Sequence, residues 1–217
     1  AVSVSRMLTI SAPRFAEGRM FLLKPNSSPS TSRTTGFEPD VVIYTDGGCH
    51  NNGPRKGDGA WAFVEYHDGA DEVLVHCGTM VDTTNNRAEM MAIIQGIQYY
   101  AEHTKVLVIS DSGYCVKGYN HPAYLDTWMR NGWKTSTGNP VLNPDLWLRI
   151  LGLTYNHGVK FQLIRGHYKD PNPTHALWNS IVDRACTNII KNNIMVEHAV
   201  FTYNFKTKQF TRSEERE

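Results

Sequence analysis

The sequence has few cysteines and no long apolar run, and both absences narrow the class of protein. Only four cysteines occur among 217 residues, and none forms a C-x-x-C pair, which argues against a disulfide-stapled scaffold or a zinc domain. No apolar run approaches the length of a membrane span. We therefore expect an intracellular protein without a membrane partner, cytoplasmic or nuclear, with mitochondrial targeting as the alternative for its acid-poor N-terminal segment.

The sequence also lacks a strong excess of basic charge. Its net charge is +1 at pH 7, divided as +3 over residues 1–38, −3 over 39–200 and +1 over 201–217. Nucleic-acid-binding proteins usually carry a basic footprint. If this chain binds nucleic acid, either its basic groups cluster locally or bound cations reverse the local field.

Composition divides the chain into three parts. The stretch NSSPSTSRTTG (26–36) is rich in serine and threonine and is typical of a linker. We assign residues 1–39 to an N-terminal tail and linker, 40–195 to one globular domain, and 196–217 to a C-terminal extension. Within that extension, VFTYNF (200–205) has the composition of a strand.

Hydrophobic periodicity predicts an α/β fold. The sequence predicts a mixed five-stranded sheet with helices on both faces, and the first three strands are expected to be antiparallel. The predicted strands cover residues 41–45, 60–66, 72–78, 105–110 and 159–164. The predicted helices cover residues 86–103, 142–156 and 179–192.

Three acidic residues stand where α/β sheets place ligand sites. Asp46 and Asp111 directly follow apolar strands, and Glu89 lies in the first turn of the long helix. Converging carboxylates repel one another unless a divalent cation neutralises them, and oxygen ligands of this kind suit Mg²⁺ or Mn²⁺. Such a site serves phosphoryl transfer. Taken singly, each acid could equally be a cap or turn residue.

Six segments, in this order, resemble the ribonuclease H type 1 family and span roughly residues 41–192. They are YTDGGCHNNG (44–53), TTNNRAEMMA (83–92), SDSGYCVKGY (110–119), NGWKTSTGNPVLNPDLW (131–147), GH (166–167) and NSIVDRAC (179–186). The resemblance implies a ribonuclease H-like fold. It also implies an endonuclease that hydrolyses the RNA strand of RNA–DNA hybrids by a two-metal mechanism, leaving 5′-phosphate and 3′-hydroxyl ends.

The resemblance also implies the catalytic residues. The family's metal-binding carboxylates correspond to Asp46, Glu89, Asp111 and Asp183, with two Mg²⁺ per site and Mn²⁺ as an alternative. His167 corresponds to the family's mobile histidine, whose near-neutral titration suits proton movement. The loop that follows it is longer than expected and contains His175, so His175, or no histidine, remains an alternative.

Substrate contacts are implied on both strands of the hybrid. Two groups are expected to bind it, one near the RNA strand and the metal ligands and one facing the DNA strand. They are Cys49, Asn52, Thr83, Asn85, Asn86, Arg87 and Asn179 for the first, and Tyr124 and Trp128 for the second. Asparagine offers both a donor and an acceptor to a 2′-hydroxyl, and aromatic faces stack on sugars or bases.

Other classes of protein share parts of this pattern. A ribonuclease H domain of a retroelement polyprotein would have the same site residues. A non-catalytic hybrid-binding module is a second alternative, although the four acids weigh against it. DNA-cutting relatives such as transposases share the sheet but not the TTNNRAE and NGWKT strings. We expect a monomer that binds RNA–DNA hybrid.

Overall fold

The computed structural model describes residues 36–50, 57–166 and 169–213. The strands are β1 (Val41–Cys49), β2 (Gly57–Glu65), β3 (Glu72–Thr83), β4 (Lys105–Ser110), β5 (Gly158–Leu163), β6 (Ala199–Asn204) and β7 (Gln209–Arg212). The helices are α1 (Asn85–Gln98), α2 (Gly113–Asn120), α3 (Pro122–Arg130), α4 (Pro144–Asn156) and α5 (Pro173–Lys191). No helix in these ranges is long and apolar enough to cross a membrane.

The strands form one mixed sheet in the order β5-β4-β1-β2-β3-β6-β7. β1 pairs antiparallel with β2 and parallel with β4, and β4 pairs parallel with β5. The predicted fold class and the antiparallel start are confirmed. The predicted count of five strands is wrong for the described residues, because β6 pairs with β3 and β7 pairs with β6.

Both faces of the sheet are covered by helices. On one face α5 packs Trp178, Ile181 and Val182 against inward residues of the sheet such as Tyr44. On the other face α1 supplies an apolar stripe together with α2 and α4. The α1 stripe is Met90, Ile93, Ile94 and Ile97, all at 0% exposure, which is the helical spacing predicted from the sequence.

Two element boundaries differ from the predicted ones in ways that matter for the site. β1 does not stop at Thr45 but continues through Cys49, because β2 pairs with it as far as Cys49↔Gly59. The last helix begins at Pro173 rather than residue 179. Pro173 is its first residue, and the Asn172 side chain caps it by accepting from Thr174 N at 2.9 Å. α5 is therefore about two turns longer before Asp183 than expected.

Candidate active site

Sheet register brings Asp46 and Asp111 side by side. The parallel pairing of β1 with β4 ends at Thr45↔Ser110. Asp46 follows Thr45 and Asp111 follows Ser110, so both acids lie where the parallel pairing of the two strands stops. Neighbouring strands lie about 4.8 Å apart, and this edge is where α/β sheets bind ligands.

A glycine brings the start of α1 against the same edge. A Cβ at Gly47 would overlap backbone atoms of Ala88 and Glu89, so β1 and α1 pack with their backbones in contact. Thr84 caps α1 by accepting from Arg87 N at 3.4 Å. Glu89 is thereby held beside Asp46, because Asp46 directly precedes the glycine that contacts the backbone of Glu89.

α5 supplies the fourth carboxylate. Asp183 and Asn179 are one helical turn apart, and Asn179 Nδ2 donates to Asp111 Oδ2 at 3.0 Å. About one turn after Asp183, Cys186 Sγ contacts the Asp46 carbonyl oxygen at 3.5 Å. These two contacts hold the segment that carries Asp183 across the carboxyl edge of the sheet, over both β1 and β4.

The pKa shifts show that the four carboxylates share one electrostatic environment. Burial raises the pKa of Asp46 well above its usual range, and Asp111, Asp183 and Glu89 each raise it further, against a lowering hydrogen bond from Gly47 N. Burial also raises the pKa of Glu89 to about 7, with a further contribution from Asp111. Every charged group that shifts these two pKa values is another carboxylate.

The donor set fits a divalent cation. It consists of carboxylate oxygens, and Asn179 Oδ1 adds a buried acceptor without a hydrogen-bond partner among the described residues. Hard oxygen donors of this kind suit Mg²⁺ or Mn²⁺. In the described ranges, no three His, Cys, Asp or Glu side chains stand close enough to form a ready coordination shell.

Residues expected to contact the RNA strand lie next to these carboxylates. Cys49 N donates to Asn85 Oδ1 at 2.8 Å, which ties the end of β1 to the first residue of α1. Asn86 lies in the same turn and is partly exposed. Because Thr84 is the helix cap, the Asn85 side chain is used to bridge two elements instead. Asn52 lies outside the described residues.

Two residues of the expected RNA-strand group, Arg87 and Thr83, are engaged in contacts within the protein. Both terminal nitrogens of the Arg87 guanidinium, Nη1 and Nη2, donate to the Asp145 carboxylate, at 2.9 and 2.7 Å, and join α1 to α4. This bidentate pair raises the pKa of Arg87 and lowers that of Asp145. Thr83 is 1% exposed and its hydroxyl contacts Met80 Sδ. In this state the geometry gives both side chains structural roles.

The aromatic residues expected to face DNA form a stack on α3. Tyr124 and Trp128 are stacked at 5.5 Å, and His121 stacks on Tyr124 at 3.7 Å. Tyr124 is 46% exposed. Trp128 also contacts the buried Trp147 at 5.9 Å, so the stack is anchored in the core. His121 extends it by one ring, which the spacing of Tyr124 and Trp128 alone did not predict.

His175 occupies a buried position that does not suit a mobile proton carrier. It is 6% exposed; its Nδ1 hydrogen-bonds Tyr44 Oη at 2.8 Å and its Nε2 pairs with Gln162 Nε2 at 3.1 Å. Burial lowers its pKa. These contacts join α5, β1 and β5 beneath the site. His167 lies outside the described residues and stays a prediction.

Sequence reasoning missed two residues that shape the site. Ser112 Oγ donates to Glu89, and the same oxygen accepts from Cys115 N at 3.2 Å as the cap of α2. A Cβ at Gly166 would overlap Asp111 Oδ2, so the loop after β5 lies directly on this carboxylate. The adjacency of Ser112 to Asp111 and the Gly166-His167 pair were the available signals, but neither shows a contact.

A mixed sheet of this order, with four acidic side chains at its carboxyl edge and helices on both faces, defines a nuclease-type α/β domain of the ribonuclease H-like fold. A family model described as RNase H matches residues 38–191. The chain belongs to the RNase H family.

Curated relatives agree with this assignment, and solved structures share the fold. Ribonuclease H of Oleidesulfovibrio alaskensis is 44% identical over 131 residues, covering 60% of this chain and 81% of that protein. Ribonuclease H of Caldicellulosiruptor saccharolyticus is 38% identical over 152 residues, covering 70% and 97%. The structure of LC9-RNase H1, a type 1 RNase H with the type 2 active-site motif, gives a TM-score of 0.55 at 22% identity over 70% of this chain and 72% of that one. The PFV RNase H domain gives 0.55 at 23% over 68% and 92%. The likenesses to these two structures show the fold.

Proposed function

We propose that this protein is an endonuclease that hydrolyses the RNA strand of RNA–DNA hybrids, leaving 5′-phosphate and 3′-hydroxyl ends. The observation that carries the proposal is that burial and three neighbouring carboxylates, Asp111, Asp183 and Glu89, all raise the pKa of Asp46. The four come from two strands and two helices inside the region that matches the family. Relatives named ribonuclease H support the choice of substrate.

In this proposal, Asp46, Glu89, Asp111 and Asp183 hold divalent cations, two Mg²⁺ per site with Mn²⁺ as an alternative. When bound, such cations lower the pKa of water and stabilise charge on the leaving oxygen. The residues of the chain do the positioning. Asn179 orients the Asp111 carboxylate through its 3.0 Å hydrogen bond, and Ser112 orients Glu89. The Cys49–Asn85 bridge presents polar groups to RNA 2′-hydroxyls beside the cut.

The test is the substitution Asp111→Asn, with Asp68→Asn as the control because Asp68 is exposed in the β2–β3 turn. We expect Asp111→Asn to lose about 100- to 1,000-fold in hybrid cleavage, the range for removing one preorganised electrostatic group, while hybrid binding survives. Cleavage is measured on labelled hybrid, duplex RNA and duplex DNA, each with Mg²⁺ and with Mn²⁺. Full activity of Asp111→Asn would refute the assignment.

The alternatives predict different results in the same assay. A non-catalytic hybrid-binding module would bind the labelled hybrid but leave it intact with either metal. A ribonuclease H domain of a retroelement polyprotein would use the same carboxylates. That alternative places the same reaction within a polyprotein and predicts the same cleavage in this assay. We expect the chain to act as a monomer.

A further inference from the structure

The cleft beside the proposed catalytic carboxylates has a basic wall. It has a volume of about 460 Å³ and is lined by Glu89, Asp111, Arg165, Gly166 and Lys169. The two carboxylates belong to α1 and to the end of β4, whereas the two cations belong to the loop between β5 and α5. Acidic and basic side chains therefore line the same cleft from different elements.

Arg165 and Lys169 differ from the described cations that form ion pairs with aspartates. Arg87 is paired with Asp145, and Arg130 is paired with Asp126. In the part of the chain that the structure describes, neither Arg165 nor Lys169 has an ion-pair partner. Both side chains are exposed, so both are available to an anion from solvent.

The backbone that carries these cations is held in place. Arg165 N donates to Asp170 Oδ2 at 2.9 Å, and Asp170 Oδ1 accepts from Asn172 N at 2.9 Å. Lys169 N donates to the Gly166 carbonyl oxygen at 3.2 Å. Gly166 itself lies against Asp111, with no room for a Cβ. Backbone contacts thus fix where both side chains start relative to Asp111.

Strand order gives the direction in which a nucleic-acid strand would meet these groups. From one side of the sheet to the other, β5, β4, β1 and β2 are neighbours. Arg165 follows β5, Asp111 follows β4, Asp46 lies on β1, and Cys49 pairs with Gly59 of β2. A strand laid across this edge passes the Cys49–Asn85 bridge, then the carboxylates, then the basic wall.

We propose that Arg165 and Lys169 form a phosphate subsite. This subsite binds the RNA-strand phosphate next to the scissile one, on the side away from Cys49 and Asn85. The inference rests on the proposed function, because it deepens the description of the same substrate. A guanidinium and an ammonium suit a phosphate, and this subsite supplies local positive charge to a core whose net charge is −3 over residues 39–200.

The test compares Arg165→Ala/Lys169→Ala with the matched double variant Arg149→Ala/Lys105→Ala. Arg149 and Lys105 are exposed. Arg149 lies on α4, and Lys105 begins β4, at the opposite end from Ser110. Each pair removes one arginine and one lysine. We expect the first double variant to raise KM for hybrid about tenfold or more with kcat nearly unchanged. The slope of log KM against log salt concentration should be shallower by about one, because one phosphate contact is lost.

A neutral methylphosphonate locates the contact. Placed at the proposed RNA phosphate, it should weaken cleavage by the wild-type chain by about the same factor as the double substitution, and should weaken the double variant little further. Equal losses in both proteins would overturn the proposal. So would an unchanged KM combined with a lower Mg²⁺ requirement, because the cations would then only balance the carboxylates.

Failure of the proposed function gives a different result. If the wild-type chain cleaves no hybrid under any metal condition, the enzymatic assignment fails, and the subsite is judged on hybrid affinity by fluorescence anisotropy in EDTA. There the subsite requires that Arg165→Ala/Lys169→Ala bind severalfold more weakly than the control double variant. Equal affinity of the two variants would refute it.

Discussion

The contact between Gly166 and Asp111 predicts a loss of activity from adding a single methyl group. In Gly166→Ala, the new Cβ would lie 3.0 Å from Asp111 Cγ and 3.3 Å from its Cβ, where ordinary contacts begin at 3.4 Å. Rotating the carboxylate relieves the overlap with Oδ2 but not the contact with Asp111 Cβ. The loop cannot retreat freely, since Asp170 holds it at Arg165 N. The carboxylate oxygen must then move by about 1 Å, and a misplacement of that size costs on the order of 100-fold in rate.

The assay is kcat for hybrid cleavage under saturating Mg²⁺, together with the urea midpoint. Gly152→Ala is the matched control, because a Cβ at Gly152, which lies within α4, meets nothing within 4 Å. The control should keep full activity and gain about 0.4–1 kcal/mol in stability. For Gly166→Ala we expect a loss of about 100-fold in kcat and a nearly unchanged urea midpoint. Wild-type kcat in Gly166→Ala would refute the reasoning, and a collapsed fold would show that the contact is structural.

Three further outcomes are expected. Gly47→Ala would place its methyl inside the backbone of Ala88, so it should lower the free energy of unfolding by about 3 kcal/mol or more in urea titrations; a loss under 1 kcal/mol would contradict the close packing. Burial, with His198 contributing, lowers the pKa of His76 from 6.5 to about 4, so stability is present above pH 6.5 and is lost as the pH falls towards 4. Between pH 8 and 5 the wild type should lose about 2 kcal/mol more than His76→Phe, and parallel pH profiles would reject that shift. Tyr124→Ala should raise KM for hybrid about tenfold without changing kcat, whereas Tyr155→Ala, at a side chain that is 91% exposed, should change neither.

Part of the site could be predicted from local pattern. Asp46 and Asp111 stood out because apolar strands precede them, and Glu89 because it opens an amphipathic helix. Periodicity does not distinguish Asp183 from any exposed helical acid, and only the resemblance singled it out. The register Thr45↔Ser110, which brings the first two acids together, is a property of strand pairing. Sequence pattern names candidate strands but does not give their pairing partners.

The contacts around the carboxylates were harder to predict because they depend on tertiary approach. Gly47 and Gly166 are ordinary glycines in the sequence, and only the packed structure shows that neither position has room for a Cβ. Ser112 caps α2 and donates to Glu89, a side chain from another helix. The five-strand prediction failed for a similar reason. The composition of VFTYNF indicated a strand but not its pairing partner, and β6 is held in the sheet by pairing with β3 and by packing Tyr203 into the core.

The charge count posed a choice between local basic clusters and bound cations, and the structure shows why the total was a poor guide. Some of the positive charge is already paired at the surface: Arg87 and Lys206 each face an aspartate. Such pairs add nothing to the sum and little to the field felt by a ligand. The field at a bound substrate comes mainly from charged side chains that have no ion-pair partner. Along the cleft these are two carboxylates facing Arg165 and Lys169. The carboxylates and a phosphate are all negatively charged and cannot occupy that cleft together without added cations. Metal and substrate should therefore each favour binding of the other. Arg165 and Lys169 would neutralise the phosphate charge that lies beyond the metals.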